Sequence, residues 1–373
     1  MRPQHVRFRG RAGPQPDHGR HPLAEPLVRH PGHDRVEHGG VRLERLLDLL
    51  GEHLLAAGYD VRVLAREPGK VARVLAPLGA AVTDVAAGDM TEAAAVDRAL
   101  DGCAAVVHCA AEIGVAGGSR PATAATVEGA RLVIGGAVSR GVERVVYTSS
   151  VTVHLPTDAQ ILTPDSPLAE PLTAYGAQKA AIERYVRELQ AAWAPVTTLV
   201  VGGVYGPCSP HTEGSFAAIL AALAAGMYAP ESGLCVVDVR DLAVIICRCA
   251  GLAASGGPRR YLVSGHYVTW REWAGLLAEA SGQPVPYHAA SAAELIALGR
   301  KFDEMRADGA DLPPLSEEAA IIMSSGCPGD DTATLAELGL GYRPAIETFR
   351  DAVAWLRAAG HLGTAPQPGG ART

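Results

Sequence analysis

Helical and strand-like patterns alternate along residues 41–201, and this alternation constrains the fold more than any other feature of the 373-residue chain. Segments with helical periodicity follow short, buried-looking apolar runs in regular succession. Helices are predicted at 41–57, 91–100, 122–140 and 173–193, and strands at 60–65, 81–85, 104–109, 144–148 and 197–201. Such alternation predicts a parallel sheet that is covered by helices on both faces.

The regular alternation ends after residue 206. Right-handed crossovers make residues 41–206 a doubly wound, Rossmann-like α/β domain. Further helices are predicted at 215–225, 241–252, 269–280, 291–306 and 345–358, with short strands near 234–238 and 260–264. We expect residues 207–362 to form a smaller substrate-binding lobe at the carboxyl ends of the strands, where ligands bind in open α/β sheets. Residues 363–373 are expected to be a disordered tail.

Composition narrows the range of partners and compartments. No apolar run approaches the roughly 18 residues that a membrane helix needs, so we expect no membrane association. The net charge of −7 argues against a general nucleic-acid surface. The seven cysteines have no metal-ligand spacing and are odd in number, which is typical of reduced thiols and predicts a cytoplasmic protein without a metal site. Cys247 and Cys249 are interpreted as two packing positions on one helix.

Residues 1–40 differ from everything that follows. They contain six of the thirteen histidines and six prolines, and they show neither a strand nor a helix period. Such a leader is expected to be poorly ordered. It has no apolar centre, so it does not look like a secretory signal.

A tyrosine and a lysine one helical turn apart outline an acid–base site. Tyr175 and Lys179 lie on the same face of the helix predicted at 173–193, so a cation sits beside a phenol that must lose or share its proton. Ser150 follows the strand predicted at 144–148 and could hold a carbonyl or hydroxyl group in front of the phenol. Ser149 is the alternative hydroxyl.

Several short motifs occur in a characteristic order. They are DVRVLAR at 60–66, GDM at 88–90, VVHCAA at 106–111, VYTSS at 146–150, YxxxK at 175–179, GVYGP at 203–207 and VDVRDL at 237–242. With this ordered set, the chain resembles an extended short-chain dehydrogenase/reductase of the NAD(P)-dependent epimerase/dehydratase superfamily over roughly residues 41–360. The form of the motifs is most similar to the branch of dihydroflavonol reductases and hydroxysteroid dehydrogenases.

The resemblance implies a role for each residue of the acid–base site. Tyr175 would give a proton to a substrate oxygen or take one from it, and Ser150 would bind that oxygen. Lys179 would lower the pKa of Tyr175 and hold the nicotinamide ribose. The resemblance also implies a homodimer through the helices at 122–140 and 173–193.

The resemblance also implies residues that bind a dinucleotide cofactor. Asp89 would contact the adenine with the main chain of Met90 beside it, although Asp89 can equally start the following helix. Ala110 and Ala111 would form a small-residue turn that lets the cofactor approach the fourth strand. Arg66 follows the second strand, where an arginine can accept the phosphate of NADP and an acid would bind the ribose of NAD. NADP is therefore favoured over NAD.

One element of the family pattern is missing. The family opens with a strand and a glycine-rich turn whose amides receive the pyrophosphate. Here Gly40 is the remnant of that turn, and no apolar first strand precedes it. Either the leader is genuine and the first strand is absent or replaced, or the upstream reading frame is disrupted; we favour the second explanation, as a hypothesis about the gene.

Together these features predict an NAD(P)-dependent oxidoreductase or epimerase that acts on a secondary alcohol or ketone. The small-molecule substrate could be a sugar nucleotide, a steroid-like alcohol or a flavonoid-like ketone. Arg240 could meet a nucleotide diphosphate, but beside Asp238 and Asp241 it is better interpreted as an ion-pair residue. The alternatives are a non-catalytic protein that senses a dinucleotide, and a chain that is inactive because the glycine turn is missing.

Overall fold

The computed structural model describes residues 35–36, 44–69, 71, 82–109, 122–207, 214–252, 257–310 and 312–363. The strands of the first half are β1 (Arg35–Val36), β2 (Asp60–Ala65), β3 (Asp84–Ala87), β4 (Ala105–His108), β5 (Arg144–Ser150) and β6 (Val196–Val201). The helices between them are α1 (Glu44–Ala56), α2 (Ala93–Leu100), α3 (Ala122–Ala130), α4 (Gly136–Ser139) and α5 (Ala174–Ala191). A π-helical turn, Arg131–Gly135, joins α3 to α4, so the helix predicted at 122–140 is continuous but locally unwound.

The second half contains shorter strands and more helices. Its strands are β7 (Gly203–Tyr205), β8 (Met227–Ala229), β9 (Gly233–Asp238), β10 (Arg259–Val263), β11 (His266–Thr269) and β12 (Tyr287–Ala289). Its helices are α6 (Ser215–Ala225), α7 (Val239–Ala250), α8 (Trp270–Ser281), α9 (Ala292–Ala307), α10 (Glu317–Ser324), α11 (Thr332–Leu338) and α12 (Ala345–Ala358). The strands β7, β8, β11 and β12 and the helices α10 and α11 were not predicted, because they are too short to show a clear hydrophobic period.

The main sheet is parallel and doubly wound, as predicted. Its strands are hydrogen-bonded in the orders β3-β2-β1 and β10-β6-β5-β4, with β1 beside β4. The strand order therefore reverses between β1 and β4, and ligands bind at such a switch point in open α/β sheets. β6 is buried along its whole length because helices cover both faces of the sheet.

β1 lies between β2 and β4, at the place in the sheet where the family has its first strand. The two residues of β1 pair in parallel with Asp60 and Val61 of β2. β1 has only two residues, one of them an arginine, and is much shorter than its neighbours, so the prediction that no apolar first strand precedes Gly40 stays a prediction. A strand of two residues is too short to show a hydrophobic pattern, so only its pairing reveals it.

Two apolar layers enclose the parallel sheet, and a third core lies beyond it. Side chains of α1 and α7 pack on one face of the sheet, and those of α2, α3, α4 and α5 pack on the other. The third core joins α6, α8 and α12 around β9 and β11, with Trp273 and Phe349 at its centre. Cys247 and Cys249 are buried in the first layer, which confirms that they are packing positions on α7.

The second half of the chain contributes to both parts of the fold. β10 extends the parallel sheet beside β6, and α7 packs against α1. The domain boundary at residues 206 and 207 stays a prediction. In the described residues, no helix combines the length and the apolar character that crossing a membrane requires.

Candidate active site

The site begins where β5 ends and α5 starts. Ser150, the last residue of β5, accepts hydrogen bonds from the amide and the hydroxyl of Thr152 at 3.3 and 3.0 Å, which turns the chain into a short 3-10 helix. Thr173 caps α5 by accepting the amide hydrogen of Gly176 at 3.0 Å. This cap starts the helix directly before Tyr175. The local sequence therefore fixes both the serine and the tyrosine at the carboxyl edge of the sheet.

Ser150, Tyr175 and Lys179 are brought together, as their spacing predicts. The hydroxyl of Ser150 lies close enough to the phenol of Tyr175 to lower its pKa. Lys179 is only 3% exposed and donates from Nζ to the carbonyl oxygen of Thr148 at 2.9 Å. Its Nζ also lies 5.4 Å from the centre of the Tyr147 ring. The arrangement is a buried cation beside a phenol–hydroxyl pair, which can move a proton to or from a bound oxygen.

Ser149 does not share this position. Neighbouring side chains of a strand point to opposite faces, so Ser149 lies on the other side of β5 from Ser150. Ser149 is buried beside the hydroxyl of Tyr147. Of the two serines, Ser150 therefore faces Tyr175.

Burial is the largest influence on the pKa values of both Tyr175 and Lys179. Burial raises the pKa of Tyr175, the hydrogen bond from Ser150 lowers it, and the nearby carboxylate of Glu318 raises it further, so the net shift is upward. Burial also lowers the pKa of Lys179 to about 8, against small upward effects of Cys109 and Glu183. The pKa of Tyr175 is shifted upward because the cost of burying a phenolate is the largest influence on it, and a lowering of this pKa by Lys179 stays a prediction.

Arg66 and Asp89 meet at the carboxyl ends of β2 and β3. Oδ1 of Asp89 accepts the amide and the hydroxyl of Thr91 at 2.9 and 2.7 Å, which forms a local turn ahead of α2, whose N-cap is Glu92. Oδ2 of Asp89 remains 3.8 Å from Nε of Arg66. Arg66 is about half exposed, so its guanidinium is accessible to an anion.

The side chain of Met90, next to Asp89, packs against helix α3. A Cβ atom added at Gly129 of α3 would lie 2.6 Å from Cγ of Met90, so the two residues are in close contact. The side chain of Met90 is thus part of the core, and only its main chain is left for the predicted adenine contact. Gly88 approaches Ala95 even more closely and has a φ of +152°, which favours glycine.

Ser150, Tyr175 and Lys179 lie at the end of β5 and the start of α5, and Arg66 with Asp89 lies at the ends of β2 and β3. That these two groups bind the two ends of a dinucleotide stays a prediction. Gly40, Ala110 and Ala111 lie outside the described residues. β1 and α1 flank the predicted phosphate turn, in the order that a pyrophosphate site requires.

Glu318 is a site residue that the sequence analysis missed. Its Oε1 accepts the amide hydrogen of Tyr175 at 2.7 Å, across 143 residues of sequence. The helix that carries it, α10, was not predicted. The signal was present, since Ser316 followed by two glutamates is a typical helix start and Ser316 does cap α10.

Arg240 is an ion-pair residue, as expected. Its guanidinium donates to both carboxylate oxygens of the buried Asp238 at 2.9 and 2.8 Å and to Asp351 at 2.6 Å. Arg343 in turn binds Asp241 at 2.9 and 2.8 Å. Both arginines are therefore committed to internal carboxylates.

Known proteins resemble this chain in sequence or in fold. The model of the NAD dependent epimerase/dehydratase family matches residues 49–262, more than half of the chain. Sterol demethylase protein B of Methylococcus capsulatus is 30% identical over 318 residues, which are 83% of this chain and 94% of that protein. A Synechocystis sp. protein that carries the provisional name dihydroflavonol 4-reductase is 24% identical over 84% of this chain and 92% of its own.

Among solved structures, UDP-glucose 4-epimerase from Bifidobacterium longum, in complex with NAD+ and UDP, superimposes with a TM-score of 0.68. The alignment covers 87% of this chain and 99% of the epimerase at 16% identity. At that identity the likeness describes the fold alone.

Proposed function

Because the chain belongs to the NAD dependent epimerase/dehydratase family, we propose that it transfers hydride between a nicotinamide cofactor and a secondary alcohol or ketone, with Tyr175 moving the proton. Epimerisation through a transient ketone would use the same step. The observation that carries the proposal is the placement of the Ser150 hydroxyl near the Tyr175 phenol, with the buried Lys179 one turn further along the same helix.

The chain's own residues would divide the proton chemistry among them. Ser150 orients the substrate oxygen toward the phenol, and Tyr175 gives that oxygen a proton in reduction or accepts one in oxidation. The raised pKa of Tyr175 keeps the phenol protonated near neutral pH, which suits the reductive direction. Lys179 places an ammonium group close to the phenol and would hold the nicotinamide ribose. When bound, the nicotinamide ring supplies the hydride donor or acceptor.

NADP is the favoured cofactor because of Arg66, which is predicted to lie near the adenosine end of the dinucleotide. Arg66 stands at the end of β2 with an accessible guanidinium, while the residue before it, Ala65, offers no carboxylate for a ribose. An arginine at this position suits a phosphate because it can bind two oxygens at once. NAD remains the alternative, since the family as a whole is described as NAD dependent.

A steroid-like alcohol or ketone is the favoured substrate. Its support is the 30% identical relative named as a sterol demethylase protein. A sugar nucleotide contains a nucleoside diphosphate like the UDP bound to the Bifidobacterium epimerase, and it would need cationic groups for that diphosphate. Arg240 and Arg343 are poor candidates for that task, because both are held by carboxylates.

The substitution Tyr175→Phe tests the proposal. It removes the transferable proton and leaves the ring, so turnover of a hydroxysteroid or ketosteroid with NADPH or NADH should fall at least 100-fold, on the order expected for loss of a general acid. Nicotinamide fluorescence, titrated with both cofactors, should show that their binding persists and that NADPH binds more tightly.

Each result separates the proposal from an alternative. Unchanged turnover in Tyr175→Phe would contradict the role of the phenol. Cofactor binding without turnover of any substrate class in the unmodified chain would favour a dinucleotide-sensing protein. Failure to bind either cofactor would favour the inactive chain, in which the sequence around Gly40 cannot receive the pyrophosphate.

A further inference from the structure

Glu318 joins the second half of the chain to the first turn of α5. The first amides of a helix have no partner within the helix, and two of them receive one here. The Thr173 hydroxyl accepts the amide of Gly176, and the Glu318 carboxylate accepts the amide of Tyr175 at 2.7 Å. A carboxylate is also favourable at this end because of the helix dipole. Glu318 is therefore a tertiary cap on the helix that carries the phenol.

The carboxylate reaches this place because α10 is fixed at both ends. At its start, the amide of Glu317 donates to Asp303 at 2.8 Å and its side chain binds Arg300 at 2.6 Å. At its end, the carbonyl of Met323 accepts Ser232 Oγ at 2.7 Å and Trp270 Nε1 at 2.9 Å. Because both ends of α10 are held, the position of this helix places Glu318 beside the first turn of α5.

The same carboxylate is part of the electrostatic surroundings of the phenol. The groups around Tyr175 are Ser150 and Tyr147 on β5, Lys179 with Glu183 behind it on α5, Cys109 after β4, and Glu318 on α10. Burial is the largest influence on the pKa of Tyr175, Ser150 opposes it, and Glu318 adds to it. Of these charged groups, Glu318 is the one that reaches the phenol from outside the Rossmann layer.

We propose that Glu318 is a positioning residue of the acid–base site, which fixes the first turn of α5 and holds a negative charge beside the Tyr175 phenol. The charge adds to the burial that keeps the phenol protonated, and the hydrogen bond to the Tyr175 amide ties the start of α5 to the docking of α10. The second half of the chain thereby acts on the proton chemistry and does not only enclose a substrate.

The test is a titration of Tyr175 in the full-length protein, followed by the ultraviolet absorbance of tyrosinate with Tyr175→Phe as the reference for the other tyrosines. Glu318→Gln keeps an oxygen for the Tyr175 amide and removes the charge, so the titration of Tyr175 should shift to lower pH. Glu317→Gln is the matched control, because Glu317 is the neighbouring residue and binds Arg300 instead. It should leave the titration unchanged.

Two outcomes overturn the proposal: an unshifted titration in Glu318→Gln, or an equal shift in both variants. Should Glu318→Gln not fold, amide hydrogen exchange in the unmodified protein decides the matter. The amide of Tyr175 should then exchange more slowly than that of the exposed Ala174 in the same turn, and the reverse order would overturn the proposal. Neither measurement needs turnover, so a failure here is distinguishable from a failure of the proposed function.

Discussion

Burying the charged Lys179 lowers the free energy of unfolding, and the shift of its pKa gives the size of this cost. The residue is only 3% exposed to solvent. Burial lowers its pKa from 10.5 to about 8, which corresponds to a penalty of about 3 kcal/mol for the charged form near neutral pH. The hydrogen bond to the Thr148 carbonyl returns only about 1 kcal/mol. Because the cost of burial exceeds the gain from the hydrogen bond, Lys179 destabilises the fold, as residues with a functional role often do.

The substitution Lys179→Met should therefore stabilise the chain while abolishing turnover. We expect the free energy of unfolding to rise by about 1–2 kcal/mol at about pH 7, after the loss of the Thr148 bond. Because the unfolded chain holds this proton more tightly, the stability of the unmodified protein increases as the pH rises from about 8 to 10.5. The advantage of the variant should disappear over the same range. Urea unfolding at about pH 7 and about pH 10 measures both effects.

Lys301→Met is the control for this prediction. Lys301 lies exposed on α9, so its removal should leave the free energy of unfolding unchanged at either pH. A lower stability of Lys179→Met at about pH 7 would contradict the prediction and would mean that the ammonium stabilises the fold.

At the scale of single residues, the sequence predicts contacts between residues that are close in the chain and does not predict contacts between distant ones. Tyr175 and Lys179 follow from helical spacing, and Ser150 follows from the end of a buried strand. The ion pair of Arg240 was also foreseen, because Asp238 is two residues away. Glu318 could not be predicted, since its contact with Tyr175 depends on how α10 packs, and no local pattern encodes that.

At the scale of elements, the helix formed by α3, the π turn and α4 is adapted to its neighbours. The buried Gly129 gives Met90 room, and a Cβ atom at Gly135 would lie 2.2 Å from the hydroxyl of Tyr185. Both glycines cost helix stability and allow close packing. The alternation of the sequence predicted this helix, but a π turn leaves no local signature, so the change of pitch was not foreseen.

Gly129→Ala should destabilise the protein, although alanine is the better helix former. The new methyl group would lie 2.6 Å from Cγ of Met90, and relieving that overlap should cost about 1–3 kcal/mol, more than the gain of up to about 1 kcal/mol from helix propensity. The displaced Met90 should also weaken NAD(P) binding. Urea unfolding and the fluorescence titration of the cofactor measure the two effects.

Gly275→Ala in α8 separates packing from propensity. No atom lies within 4 Å of the added Cβ at this position, so only the propensity changes, and stability should rise by about 0.5–1 kcal/mol. Equal effects of the two substitutions would show that the contact with Met90 does not limit residue 129.

At the scale of the whole molecule, an ion-pair network ties the second half of the chain together. Asp238, buried at the start of α7, is bound by Arg240 and lies 3.6 Å from Nε of Arg343. Burial alone would raise the pKa of Asp238, but the hydrogen bonds and charge of Arg240 and the charge of Arg343 lower it. Arg240 also binds Asp351 of α12, so the network connects α7, which packs on the parallel sheet, to a helix of the third core.

Arg240→Met should destabilise the whole molecule by about 3 kcal/mol at neutral pH, because Asp238 then stays buried without its main partner. A carboxyl with a lowered pKa contributes stability above its unfolded value of 3.8 and loses it as the pH falls below that value. The difference between variant and unmodified protein should therefore shrink in acid. Urea unfolding at neutral and acidic pH measures it.

Arg350→Met provides the comparison. Arg350 binds Glu279 at 2.7 Å, as closely as Arg240 binds Asp238, but both side chains are more than half exposed. Solvent screens such a pair, so we expect no measurable change in stability. Equal losses in the two variants would contradict a special role for the buried carboxylate.

The architecture as a whole was largely predictable from the sequence. Alternating patterns predicted the parallel sheet, because each strand and each helix was long enough to show its own period. The return of β10 to that sheet was not predicted, since a strand such as 259–263 does not reveal its partner. Pairing with β6 is decided by the path of the whole chain.

The position of β10 also bears on how the protein is made. A ribosome delivers residue 201 long before residue 259, so β6 waits at the edge of an unfinished sheet while the chain lengthens. During that interval its backbone groups are open to pairing with another chain. The helix α7, which covers the face next to α1, is delivered in the same late interval. Synthesis therefore includes a period of exposure to aggregation, in which a molecular chaperone would have the most to protect.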